Sequence, residues 1–177
     1  MIYLLEREIG YDAAQVGFPS VAACRAIVAV TPTGLCGYHL NGKLNDGKKT
    51  AFVNFVLARM PAGGLRNLYA ASESAPSNFD RTELSSIASD LGYTGTIYWA
   101  TLPAAGSNYV EFLNVNNATC GITARAWVHG AANDEAPANK GPLPAGGNRI
   151  FANGPPTAQV YTNVATAGLK SVYPTAL

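Results

Sequence analysis

Charge is scarce in this 177-residue chain: Asp, Glu, Lys and Arg make up 13% of it, and twelve basic residues nearly balance eleven acidic ones for a net charge of +1. The basic residues are scattered. They form no positive stripe of the kind that a phosphate backbone requires, so nucleic acid is not an expected partner. Histidine is rarer still, with two residues, and the three cysteines are Cys24, Cys36 and Cys120. An odd number of cysteines without CxxC or Cys/His spacing predicts neither a disulfide framework nor a zinc site. No metal and no cofactor are expected. No apolar run approaches the roughly 20 residues that span a bilayer, so membrane insertion is not expected either. The opening MIYLLEREIGYD puts Glu6, Arg7 and Glu8 directly after five apolar residues. That pattern is too short and too acidic for a signal peptide. The expected location is cytoplasmic, or secreted without a cleaved signal peptide.

Hydrophobic residues are plentiful at 48%, enough for one core, and the chain is expected to form a single domain over residues 1–177. MIYLLE reads as a first strand and GYDAAQVGFPS as a turn-rich connection. CRAIVAVT and GLCGYHL are short strand-like runs on either side of TPTG, which predicts a hairpin. Lys43 to Lys49 reads as a polar loop, and TAFVNFVLARM as a buried helix stopped by Pro61 and Gly63-Gly64. LRNLYAAS follows as a strand. DRTELSSIASDLG carries helical spacing at Leu84, Ile87, Ala88 and Leu91, with Asp80 as the expected cap and Glu83 as its capping-box partner. TGTIYWATL, NYVEFLNV and CGITARAWVHG are further strands. A Pro/Gly-rich segment at about 131–156 predicts a long irregular loop, and TAQVYTNV a last strand. The order predicts an α+β fold, a layered α/β sandwich with a mixed or antiparallel sheet core and two main helices.

The hairpin carries the chemistry. A turn centred between Pro32 and Thr33 puts His39 opposite Ala26, with Cys24 two residues along on the same face. Diagonal neighbours of this kind lie about 7–8 Å apart at Cα, and a curl of the chain at Cys24 would close that gap. Cys36 is an odd number of residues from His39 and is therefore expected on the opposite face, in the core. A thiol beside an imidazole matters because the thiolate is the nucleophile, and the ring can take its proton and return it to a leaving group. Ala22 and Ala23 are small, which leaves the backbone N–H groups of Ala23 and Cys24 as candidate oxyanion donors.

The order VAAC, strand, turn and GYHLNG, with His39 fifteen residues after Cys24, resembles the catalytic hairpin of the cysteine-dependent protein glutamine deamidases. Two branches are similar: the Rho-activating catalytic domain of cytotoxic necrotizing factors and the chemoreceptor glutamine deamidase CheD. The later order of helix, strand, helix and paired strands is similar to CheD over roughly Val21 to Ala124. Those families commonly carry Gly and Ser beside the cysteine, where this chain has Ala22-Ala23. The resemblance implies that Cys24 is the nucleophile and His39 the acid/base. It also implies a third element supplied from before the cysteine, a polar side chain or a backbone carbonyl; Ser20 is the nearest candidate side chain. The implied reaction converts a target-protein glutamine to glutamate without a cofactor, in a catalytic domain that could serve as a secreted bacterial effector, with a protein bearing a reactive glutamine as partner.

Two other readings stand beside it. One is a non-catalytic interaction or immunity module of the same fold, in which Cys24 is inert. The other is a cysteine protease or transglutaminase-like acyltransferase, because the same dyad can attack a peptide bond or pass the acyl group to an amine. His129 reads as a surface or packing residue, Trp99 and Trp127 as core, and Lys43 to Lys49 as a solvated loop.

Overall fold

The computed structural model describes residues 1–128, 138–139, 148–152, 159–160 and 164–177. In chain order the elements are β1 (Ile2–Tyr3), β2 (Glu8–Asp12), β3 (Gln15–Val21), β4 (Arg25–Thr31), β5 (Gly34–Leu40), α1 (Asp46–Leu57), β6 (Asn67–Ser72), α2 (Asn78–Asp90), β7 (Ile97–Thr101), β8 (Asn108–Val115) and β9 (Thr119–Ala126). The short strands β10 (Ala138–Asn139), β11 (Arg149–Phe151), β12 (Gln159–Val160), β13 (Lys170–Ser171) and β14 (Thr175–Ala176) follow. One mixed sheet has the order β1-β3-β8-β9-β13 and a second the order β11-β2-β5-β4-β6-β7-β14, while β10 and β12 pair with each other. Two helices with two mixed sheets make this an α+β protein. Among the described residues no helix is long and apolar enough to cross a membrane.

Strand alternation sorts the core into two large clusters, beside a smaller third formed by Tyr3, Tyr109, Trp127 and Val164. Ile27 and Ala29 of β4 join Cys36, Tyr38 and Leu40 of β5 in one cluster, with Phe52, Val56, Leu84 and Ile87 of the helices. Ala26, Val28 and Val30 of the same β4 join Val16 and Phe18 of β3, Val110 and Phe112 of β8, and Ile122 of β9 in the other. A central strand buried on both faces reads as a continuous apolar run, and all seven residues of β4 are buried.

The hairpin forms in the expected register, with Thr31 opposite Gly34 and Ala26 opposite His39. Elsewhere the chain departs from expectation. GYDAAQVGFPS is mostly strand: it spans most of β2 and all but the last residue of β3, and the true turn is Asp12–Gln15, where Asp12 Oδ1 accepts the N–H groups of Ala14 and Gln15. The glycines that suggested turns serve close packing instead. A Cβ on Gly10 would lie 2.6 Å from Leu4, and one on Gly17 would lie 2.8 Å from both Tyr109 and Tyr3. The first strand is confined to Ile2–Tyr3. Helix α1 begins at Asp46 with Asn45 as its cap, so part of the expected loop is helical. Helix α2 is capped by Ser77, and Asp80 supplies the capping-box carboxylate. Glu83 is thereby free to pair with Arg25. His129 lies outside the described residues, as does most of the segment at 131–156; of TAQVYTNV, β12 and Val164 are described.

Candidate active site

Cys24 immediately precedes β4, and His39 is the penultimate residue of β5. Parity puts the His39 side chain on the face turned away from the helices, toward β3, where the Phe18 ring meets its ring edge-on at 5.9 Å; Cys24 lies in the bend before β4, outside the strand pattern. His39 is fully buried. Its Nδ1 lies 2.9 Å from the Leu4 carbonyl oxygen. A carbonyl only accepts, so Nδ1 carries the proton and Nε2 of the neutral ring keeps its lone pair. That Nε2 is buried and, among the described residues, has no hydrogen-bond partner, the Cys24 sulfur included. The segment that supplies Leu4 is pinned to the same histidine, because the Arg7 N–H donates to the His39 carbonyl at 2.8 Å. Arg7 holds φ at 71°, the left-handed conformation that lets the chain double back here.

Glu6 is carried between these two anchors. Its Oε1 accepts from the Cys24 thiol at 3.4 Å, and its Oε2 accepts from Nδ2 of Asn41 at 2.5 Å. Asn41 follows the end of β5, and its carbonyl is held in turn by Lys48 Nζ at 2.9 Å. Burial pushes the Cys24 thiol up to about 12, and the Glu6 charge and hydrogen bond act in the same direction. A backbone hydrogen bond from Ala22 and the Arg25 charge oppose that rise. Burial pushes Cys36 and Cys120 to about 12 as well. Acidity of the resting thiol therefore does not single out Cys24. Burial also lowers the pKa of His39, while the Leu4 hydrogen bond and the Glu6 charge raise it.

Several expectations are corrected by this geometry. Ser20 does not orient the histidine: it sits at the irregularity of β3 with φ at 63°, and its hydroxyl accepts from Ser107 at 3.3 Å. The Leu4 carbonyl occupies that role. Cys24 is buried, 4% exposed. Of the two oxyanion candidates, Ala23 is exposed in the bend between β3 and β4, and Cys24 adjoins it. Cys36 does lie on the opposite face, fully buried among the helix-side residues.

A cleft of about 380 Å³ lies beside Ala23, bounded by Arg25, Gly42, Lys43, Phe79 and Asp80; neither Cys24 nor His39 lines it. Arg25 is buried in its wall and bridges three elements, pairing with Asp80 at 2.7 Å and with Glu83, and donating to the Gly42 carbonyl at 2.6 Å. Among the described residues no three His, Cys, Asp or Glu side chains gather as a metal site requires. Reasoning from the sequence missed Glu6, Asn41 and the Leu4 carbonyl. A carbonyl has no residue signature, and Glu6 lies eighteen residues before Cys24 with nothing local to connect them. No protein-family model matches the chain, and no curated protein matches it.

Proposed function

We propose that the chain is a cysteine-dependent amidohydrolase built on a layered α/β sandwich, converting a target-protein glutamine to glutamate. The observation that supports this reading is the state of His39: a buried ring with Nδ1 committed to Leu4 and an Nε2 that has no hydrogen-bond partner among the described residues. An unsatisfied buried nitrogen costs about 1–3 kcal/mol, and a general base needs that lone pair free. In the first step the thiol leaves Glu6 Oε1, to which it donates in the resting chain, and Nε2 takes its proton as sulfur bonds to the side-chain carbonyl carbon. The imidazolium then returns the proton to the amide nitrogen, the C–N bond breaks, and ammonia departs. Water, deprotonated by His39, attacks the thioester and releases the glutamate side chain and the thiol. The Ala23 and Cys24 N–H groups are the oxyanion donors in this scheme. The protein acts in the cytoplasm or as an exported effector.

The competing reading is a non-catalytic module, and it draws on one observation, the burial of a thiol held near 12. Incubation of the chain with candidate target proteins, followed by peptide mapping, separates the two. Deamidation adds about one mass unit at a glutamine, the change that amide-to-acid chemistry requires. Loss of that gain in Cys24→Ser, with an unchanged melting temperature, is the expected result. Full activity of Cys24→Ser would sink the mechanism.

A further inference from the structure

Glu6 plays no part in the proton transfers above, yet its carboxylate lies against the thiol. The group it holds on its other oxygen is Asn41 Nδ2, which belongs to a primary carboxamide. The reacting group of a glutamine substrate is the same functional group. We propose that Glu6 is the specificity-determining residue that accepts the N–H of the substrate's primary amide, and that Asn41 is an internal stand-in for that amide in the resting chain. The inference rests on the amidohydrolase reading.

Three features support it. The segment bearing Glu6 is fixed at both ends on His39, by Leu4 to the ring and Arg7 to the backbone, so the carboxylate is set in place rather than free to swing. A carboxylate bound to an amide N–H makes a charge-assisted bond, stronger than a neutral one. Asn41 meanwhile occupies one oxygen of the carboxylate while the thiol occupies the other, with Nδ2 on Oε2 and sulfur on Oε1. A peptide-bond nitrogen has one hydrogen and two carbon substituents, whereas a carboxamide presents two hydrogens. An acceptor at this position therefore favours side-chain amides over backbone amides and disfavours carboxylates by repulsion. Product release follows from the same charge, because the glutamate formed faces Glu6 with like sign.

The test uses two small electrophiles on the intact chain. 2-Iodoacetamide carries a primary amide, and N,N-dimethyl-2-iodoacetamide is the same reagent without N–H donors. Their alkylation rates at Cys24, read by peptide mass spectrometry and normalised to free cysteine, give a preference ratio from which general thiol reactivity cancels. The native chain is expected to prefer the primary amide, and Glu6→Ala to lose that preference by about tenfold, the worth of one hydrogen bond to a charged group. Asn41→Ala, which vacates the carboxylate, is expected to speed alkylation by iodoacetamide. An unchanged ratio in Glu6→Ala, with Cys24 still alkylated, overturns the inference and leaves the amidohydrolase reading standing. An Asn41→Ala rate equal to that of the native chain overturns the stand-in role. Resistance of Cys24 to both reagents in the folded native chain and in Asn41→Ala overturns both readings together.

Discussion

His39 shows how one side chain can be costly to the fold and, in the function proposed above, necessary to the chemistry. Burial lowers its pKa from 6.5, so the folded chain keeps the ring neutral where the unfolded chain would take up a proton. The unfolded state then binds more protons, and stability rises with pH. The contribution is complete above about pH 7 and is lost as pH falls through the unfolded value of 6.5. Asp12 and Asp80 have pKa values lowered from 3.8. Their stabilising contribution is lost only as pH falls through 3.8 and below, so between about pH 7 and pH 5 the histidine is the one of the three that changes. Melting temperatures taken between about pH 7 and pH 5 should decline for the native chain and stay nearly level for His39→Gln. Parallel profiles for the two would place the proton uptake elsewhere.

At the scale of elements, Arg25 does what hydrophobic packing alone would not: it ties the start of β4 to α2 and to the turn after β5. Its partners Asp80 and Glu83 lie one turn apart on α2, and Glu83 also accepts the Leu44 N–H at 2.7 Å. Removing one member of a buried ion pair leaves the other uncompensated, at a cost of about 3–5 kcal/mol. Arg25→Ala should therefore destabilise strongly in equilibrium denaturation, because it strands two carboxylates. Ser77→Ala removes only the helix cap and should cost about 1 kcal/mol. Equal losses from the two substitutions would mean that the ion pair is an ornament of the surface. Much of this level was legible in advance. The hairpin register and the body of α2 follow from local pattern, whereas β2 and β3 were hidden because Gly10, Gly17 and Pro19 look like turn residues until the packing that requires them is seen.

Across the whole molecule, the site exists because the opening segment and β3 are packed closely against β5. Gly37 sits at that contact: a Cβ there would lie 2.7 Å from Val16, 2.8 Å from Leu4 and 2.9 Å from Phe18. Two of those residues also touch His39, Leu4 through its carbonyl and Phe18 through its ring. Gly37→Ala should thus cost about 1–3 kcal/mol of stability, as overpacking does. It should also shift the histidine. In the deamidation assay we expect it to depress turnover more than a stability-matched change remote from the site such as Ser77→Ala. A normal turnover number in folded Gly37→Ala would show that Leu4 tolerates displacement.

Local pattern by itself determined the α+β class, the hairpin and the placement of Cys36 on the face opposite His39. All of these depend on the strand period of two and on a two-residue turn. Only the tertiary structure decided what surrounds the pair. Ser20 looked suitable because it is near in sequence, but the chain turns it toward Ser107. The Leu4 carbonyl and the Glu6 carboxylate reach the site from the first residues of the chain, and Asn41 from the end of β5. Contacts of that range are set by how strands from distant segments pack together, and no spacing along the chain encodes them.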